Sequence, residues 1–208
     1  MKISVICPSF LGPYPGAAPH RNQKFVRAVN SFVSQTHKDS ELIIISDGCE
    51  ATTRIFSKNH AGDKRIKLLE LPRHELFTGA VRQAGIDMAT GDVLCNLDTD
   101  DTFMPHHLAN IAATFKTDKY DWAYFNHSTD IDEIRDFKPF YNDVKPELGS
   151  IGNGNIAWKR GLDVTWDGCD GKKDNQLFIA QLIEKYKNPQ KLYGCAYVVH
   201  HAFLTLPK

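Results

Sequence analysis

Apolar positions in the first half of the chain follow two alternating periods. Lys2–Cys7 and Glu41–Ser46 are short runs rich in Ile, Val and Leu, the composition of strands covered on both faces of a parallel sheet. Between them Phe25, Val26, Val29, Phe32 and Val33 fall at i, i+1, i+4, i+7 and i+8, which makes one apolar stripe on a helix. Arg65–Leu71 predicts a third strand. Ala80, Val81, Ala84 and Met88 predict a second helix, closed by Gly91. Asp92–Leu97 predicts a fourth strand, and Pro105 opens a helix with Leu108, Ile111, Ala112 and Phe115 on one side. Trp122–Asn126 reads as a further strand. Thr129–Gly149 is polar and aromatic without a period, and predicts extended segments and loops. Asn155–Lys159 and Lys191–His200 read as strands, and Asn175–Tyr186 as a helix carrying Leu177, Phe178, Leu182 and Ile183.

This order predicts an α/β fold with a mostly parallel sheet flanked by helices. No linker-like change of composition interrupts it, so residues 1–208 read as a single domain. In such sheets ligands gather at the carboxyl ends of strands, so the polar residues just after each strand are the ones to inspect. Composition narrows the partners. Lys plus Arg and Asp plus Glu both number 25, a balance that argues against a nucleic-acid binder. No apolar run approaches the roughly 20 residues needed to span a bilayer. The opening residues are too few, and too soon broken by Pro8, for a signal peptide. The 5 cysteines are scattered without a CxxC pair, as expected of reduced thiols in a cytoplasmic protein.

The strongest chemical signal is Asn96-Leu97-Asp98-Thr99-Asp100-Asp101 at the end of the fourth strand. Carboxylates this close repel, and they call for a cation or for full solvation. Mg²⁺ or Mn²⁺ takes oxygen ligands and shares its shell between carboxylates and substrate phosphates. A solvated acidic turn ahead of the Pro105 helix is the structural alternative.

The wider stretch from Phe77 to Asp101 includes Gly79, Ala80, Arg82, Gln83, Gly85, Ala89, Gly91 and Asp92 before the acidic turn. It resembles the signature of the inverting GT-A glycosyltransferases of family 2, which includes cellulose, chitin and hyaluronan synthases. Gln35-Thr36-His37, followed by Glu41 to Cys49 with Ser46-Asp47-Gly48, resembles a second segment of that family. Ser4-Val5-Ile6-Cys7-Pro8-Ser9-Phe10 resembles its first strand. The three segments keep their order over about the first half of the chain.

The resemblance implies a GT-A fold and a metal-dependent, inverting transfer of sugar from a nucleoside diphosphate to a saccharide or other acceptor hydroxyl. It implies a donor part over about residues 1–103 and an acceptor part over about 104–208. Pro8, Ser9 and Phe10 would lie against base and ribose. Asp47 would hydrogen-bond the base, and an Asp-Gly turn after a strand is the structural alternative. Arg82 would reach the nucleotide or its phosphates, or else pair with a nearby acid. Asp98 would contact ribose or metal, and Asp100 would be the principal metal ligand, Mn²⁺ or Mg²⁺. Inversion needs a base on the acceptor side, and Asp174 matches the second acid of the family's late acidic pair, with Asp170 as rival. A helix N-cap fits Asp174 as well. GT-A enzymes often add a late histidine to the metal shell. In His200-His201 strand alternation sends the two rings to opposite faces, so at most one is a ligand; His200 is the candidate, and a histidine merely satisfied at the surface is the alternative.

Several further features bear on the family pattern. Ser46 and Lys173 stand where acids are usual, and the QxxRW element and membrane helices of processive synthases are absent. Leu11–His20, rich in Gly and Pro, reads as an insertion after the first strand. Gly152-Asn153-Gly154-Asn155 resembles the small-residue acceptor segment. Two other functions fit parts of the pattern. A nucleotidyltransferase making nucleotide sugars would carry a GxGxRxxPxT loop, which Leu11–Gly16 does not match. A non-catalytic nucleotide- or partner-binding relative is the other.

Overall fold

Period-two alternation divides each buried strand between two cores. The computed structural model describes residues 1–14, 17, 19–74, 79–131, 140–169 and 174–201. Strand β1 (Ile3–Ser9) sends Ile3, Val5 and Cys7 to one face, where they meet Phe25, Ala28, Val29 and Phe32 of α1 (Arg21–Val33). Its Ile6 points the other way, with Ile43 and Ile45 of β2 (Ser40–Asp47), toward Val81 of α3 (Gly79–Met88). Every residue of β2 is buried, which explains why that run carries no alternation in sequence.

The chain runs β1–α1–β2, then α2 (Glu50–Asn59) and β3 (Ile66–Leu71), with all three strands parallel. It then returns through α3 to place β4 (Val93–Asn96) parallel on the other side of β1. Strand order therefore reverses between β1 and β4, and the crevice at such a reversal is where open α/β sheets hold ligands. Gly85 makes the α3 crossing possible: a Cβ there would lie 2.6 Å from Ile45 Cδ1.

The second half continues the sheet in mixed directions. Strands β5 (Thr102–Phe103), β6 (Trp122–Ile131), β7 (Phe140–Asn142), β8 (Ile156–Lys159) and β9 (Gln190–His201) complete the order β3-β2-β1-β4-β8-β6-β9-β5, with β7 beside β6. β8 is antiparallel to β4 and β6, whereas β6 and β9 are parallel. The ends of β6 and β9 near Ile131 and His201 thus lie on the same side of the sheet as the end of β4. Helix α4 (His107–Phe115) joins the α1 face, and α5 (Asp174–Lys185) the α3 face.

Apart from β6, the expected elements are present with ends shifted by no more than two residues. Helix α2 was not foreseen, because Ile55 and Phe56 are its only large apolar residues and Thr52 its only buried one. Strand β6 reaches five residues past Asn126 into the stretch read as irregular. The described cysteines Cys7, Cys49, Cys95 and Cys169 are all buried.

Candidate active site

Four parallel strands end side by side, and their next residues form the site wall. Asp47 closes β2, and Gly48 behind it takes φ +58°, with Arg73 so near that a Cβ would lie 2.6 Å from its backbone N. Only glycine fits there without strain. Asp47 is buried. Its Oδ1 accepts from the backbone N and the Nδ1 of His74, each at 2.8 Å, and its Oδ2 pairs with Arg73. Arg73 in turn lies 3.8 Å over the Phe10 ring. Phe10, Asp47, Arg73 and His74 thus make one assembly of flat ring, guanidinium and carboxylate beyond β1, β2 and β3. Sequence reasoning missed Arg73 and His74, because nothing local marks two residues after a strand as partners of an acid 26 positions upstream.

Ser46, the departure from an acid, closes the β2–α2 turn. Its Oγ donates to the Cys49 carbonyl at 3.1 Å and accepts from the Cys49 N–H at 3.3 Å. Ser9 is buried with its hydroxyl 2.8 Å from that of Thr52, so its side chain faces α2, and only its backbone is left for a ligand. Pro8 and Phe10 are half-buried at the rim.

The acidic turn follows β4, and the structure divides its three carboxylates. Asp101 is buried: Tyr197 donates to its Oδ2 at 2.7 Å and the His200 N–H to its Oδ1 at 3.0 Å. Burial, with Asp100 and Asp98 adding repulsion, pushes its carboxyl well above the usual range. Asp101 is therefore a structural anchor. Asp98 and Asp100 remain at the crevice. Burial first, and then the Asp98 charge, raises the Asp100 carboxyl, while Arg21 and Lys24 of α1 act against that rise. Arg27 donates to the Asp100 carbonyl at 2.9 Å and holds the turn from the α1 side.

Arg82 is brought onto this turn by α3. It is buried, and its Nη2 donates to Asp98 Oδ1 at 2.8 Å. Its Nε and Nη1 have no hydrogen-bond partner among the described residues. A buried guanidinium with donors unused is costly, and a phosphate would satisfy it. Its other neighbour is Trp166, 5.4 Å from Cζ. That ring stacks on Phe178 of α5 at 4.4 Å and 7°.

The loop before α5 is tied to both helices of this face. Gln83 accepts from Trp166 N at 2.9 Å, and Gln181 exchanges two hydrogen bonds with the Thr165 backbone. Gly79 abuts the carbonyls of Trp166 and Cys169, leaving no room for a Cβ. Helix α5 starts at Asp174, one turn before Phe178, so that residue stands at the helix end nearest the Arg82–Trp166 contact. The Asp174 side chain, and all of Asp170, lie outside the described residues.

His200 is buried beside the acidic turn, with Nε2 3.0 Å from Thr102 Oγ1 and Nδ1 3.6 Å from Asp130 Oδ2. Both ring nitrogens face protein groups, so a metal role would require one of them to be released. Among the described residues no group of three or more His, Cys, Asp or Glu is arranged as a metal centre. No described helix is long and apolar enough to cross a membrane.

Comparisons with known proteins agree with this geometry. An uncharacterised glycosyltransferase of Nostoc sp. is 32% identical over 117 residues, 56% of this chain and 34% of that protein. The succinoglycan biosynthesis protein ExoO of Rhizobium meliloti is 33% identical over 92 residues, 44% of this chain and 26% of that protein. The chain thus spans about a third or less of the length of these relatives. The structure of S. aureus TarS 1-349 in complex with UDP superposes with TM-score 0.76 at 17% identity, over 97% of this chain and 61% of TarS 1-349. Its complex with UDP-GlcNAc gives 0.76 at 18%, over 98% and 60%. These similarities show a shared GT-A fold. Residues 20–171, most of the chain, match the profile of glycosyl transferase family 2, and the chain belongs to that family.

Proposed function

We propose that this protein transfers a sugar from a nucleoside-diphosphate donor to an acceptor hydroxyl with inversion, using a divalent cation. One observation carries the reading. Asp98 and Asp100 stand together in the crevice between β1 and β4, beside a buried Arg82 with two unused donors. Two hard oxygen donors whose charges repel fit Mg²⁺ or Mn²⁺, whose remaining positions phosphate and water can fill. When bound, the cation supplies Lewis-acid compensation for charge that develops on the departing diphosphate.

The protein's own residues divide the remaining work. Phe10 and Arg73 present flat faces for a nucleobase, and Asp47 would accept from the base once Arg73 or His74 releases one of its oxygens. Arg82 directs charge-assisted donors at a phosphate oxygen. Asp174, at the start of α5, takes the proton of the acceptor hydroxyl as its oxygen bonds to the anomeric carbon and the diphosphate leaves from the opposite face. Residues 1–103 then hold the donor and 104–208 the acceptor. The relatives' names and the UDP and UDP-GlcNAc in the TarS complexes support a nucleotide-sugar donor. Family membership favours this reading over a nucleotidyltransferase.

Calorimetry of UDP binding, with Mn²⁺ and with chelator, tests it. Asp100→Ala is expected to abolish most of the Mn²⁺-linked gain while the protein stays folded. Equal affinity in both conditions for the parent refutes the metal assignment.

A further inference from the structure

We propose that Tyr197 is a positioning residue that fixes the acidic turn of the donor site and ties it to the acceptor-side turn at Gly154; this rests on the donor and metal reading above. Tyr197 lies on β9, opposite Phe103 of β5 and His127 of β6, and is buried. Its hydroxyl donates to Asp101 Oδ2 at 2.7 Å and accepts from the Asp98 N–H at 3.2 Å. A phenol has one donor and lone pairs to accept, so a single oxygen holds both ends of the Asp98–Asp101 turn. The turn is also closed on itself by Asp101 N donating to Asp98 O at 3.2 Å.

The ring has little freedom to move. Phe103 packs edge-on at 5.8 Å, and His107 lies 6.4 Å away. On the third side is Gly154, where a Cβ would sit 2.3 Å from Tyr197 Cζ and 2.7 Å from its hydroxyl. Any side chain at 154 therefore displaces the hydroxyl. Gly154 belongs to the short 3-10 turn Asn153–Asn155, which is also fastened to the end of β4 by Asn96 Nδ2 donating to the Asn153 carbonyl at 3.2 Å. A residue of the acceptor half thus sets the orientation of Asp98 and Asp100 in the donor half. Loss of the hydroxyl strands the partly buried Asp98 N–H and the buried Asp101 carboxyl, and the turn must reorganise to solvate them. Asp47 ends β2, and Phe10 and Arg73 follow β1 and β3, away from this turn, so all three stay in place.

Two measurements on the parent, Tyr197→Phe and Gly154→Ala test this, with Tyr193→Phe as control, since Tyr193 is 80% exposed. The first is UDP calorimetry with Mn²⁺ and with EDTA. The second is amide hydrogen exchange of residues 97–103 in the ligand-free protein. In Tyr197→Phe the Mn²⁺-linked gain in UDP affinity should drop about tenfold, as for one charge-assisted hydrogen bond. Affinity in EDTA should stay within about twofold, as for an independent site. Exchange over 97–103 should accelerate while β1 and β2 stay protected. Gly154→Ala should change both readouts in the same direction, and Tyr193→Phe neither. A Tyr197→Phe protein that keeps the gain and the protection overturns the proposal. So does one that loses affinity equally in EDTA, which marks a general loosening. A parent without any Mn²⁺-linked gain refutes the metal reading, and hydrogen exchange then judges the Tyr197 link by itself.

Discussion

Glu41 gives a test of how the fold is held at the edge of the sheet away from the site. It is buried on β2, its side chain 2% exposed. Oε1 accepts from Ser4 Oγ at 2.6 Å, Thr90 N at 2.8 Å and Thr90 Oγ1 at 2.9 Å, and Oε2 pairs with Lys2 at 2.9 Å and Lys67 at 2.8 Å. It thereby joins β1, β2, β3 and the segment after α3. Burial alone would raise its pKa, but the bonds from Lys67, Ser4, Lys2 and Thr90 outweigh burial and hold the carboxyl far below the ordinary range. In Glu41→Gln the Ser4 and Thr90 contacts can persist on the amide oxygen, while the NH₂ faces two ammonium groups. Each hydrogen bond to a charged group contributes about 1.5–3 kcal/mol. Because Lys2 and Lys67 are about one-third exposed, screening favours the lower end for each. Losing both gives a cost of about 3 kcal/mol. For a domain of this size that lowers Tm by roughly 6–12 °C.

The pH dependence supplies the discriminating result. The folded pKa lies below the unfolded one, so the Glu41 contribution is complete above about pH 4.3 and fades as pH falls through the folded value. Thermal or urea melts of parent and Glu41→Gln between about pH 7 and pH 2.5 should therefore converge toward the acid end. A gap that stays constant with pH, or one below about 1 kcal/mol at neutral pH, would show that the network is not what holds this edge. UDP affinity at low temperature should match the parent, since Glu41 lies at the opposite ends of these strands from the site.

Three further outcomes follow from the site and its surroundings. Asp174→Asn, which can still cap a helix, should bind UDP and Mn²⁺ normally and lose sugar transfer by about 100-fold or more; activity within a few-fold would move the base to Asp170. Arg73→Ala should weaken UDP binding in EDTA and in Mn²⁺ alike, and Asp47→Asn should blur preference among nucleoside diphosphates; an unchanged nucleotide profile in competition binding would leave Asp47 and Arg73 only structural roles. His107 is buried between Phe103 and Phe125, with both ring nitrogens lacking hydrogen-bond partners among the described residues, and burial lowers its pKa to about 3. The unfolded chain therefore takes up a proton below about pH 6.5 that the folded protein refuses. His107→Phe should remove that loss of stability, so its advantage in melting temperature should grow as pH falls from 6.5 toward 4; a constant difference would refute the assignment.

Much of this site was legible in the sequence because it rests on short-range constraints. Buried parallel strands must be continuous apolar runs, and Asp47, Asp98 and Asp100 each come directly at or after one, where α/β sheets expose their ligand residues. The arginine of α3 could be named as a partner for that region, and the structure sets it on Asp98. Helix α2 escaped notice because its apolar stripe of Ala51, Ile55 and Phe56 is short and only partly buried, and it is held by tertiary contact with α1, β2 and β3.

The family resemblance singled out Asp98 and Asp100 in Asp98-Thr99-Asp100-Asp101, but the anchoring role of Asp101 was beyond sequence reasoning. Three carboxylates in four positions look alike in one dimension. Only the approach of β9, nearly a hundred residues later, buries Asp101 under Tyr197 and His200 and leaves Asp98 and Asp100 at the crevice. The same holds for Arg73 and His74 on Asp47, and for Gly154 beneath the Tyr197 ring. Local sequence fixes propensity and pattern, which act over a few residues. Which buried polar groups find partners depends on which strands become neighbours, and that is decided only when the whole sheet is assembled.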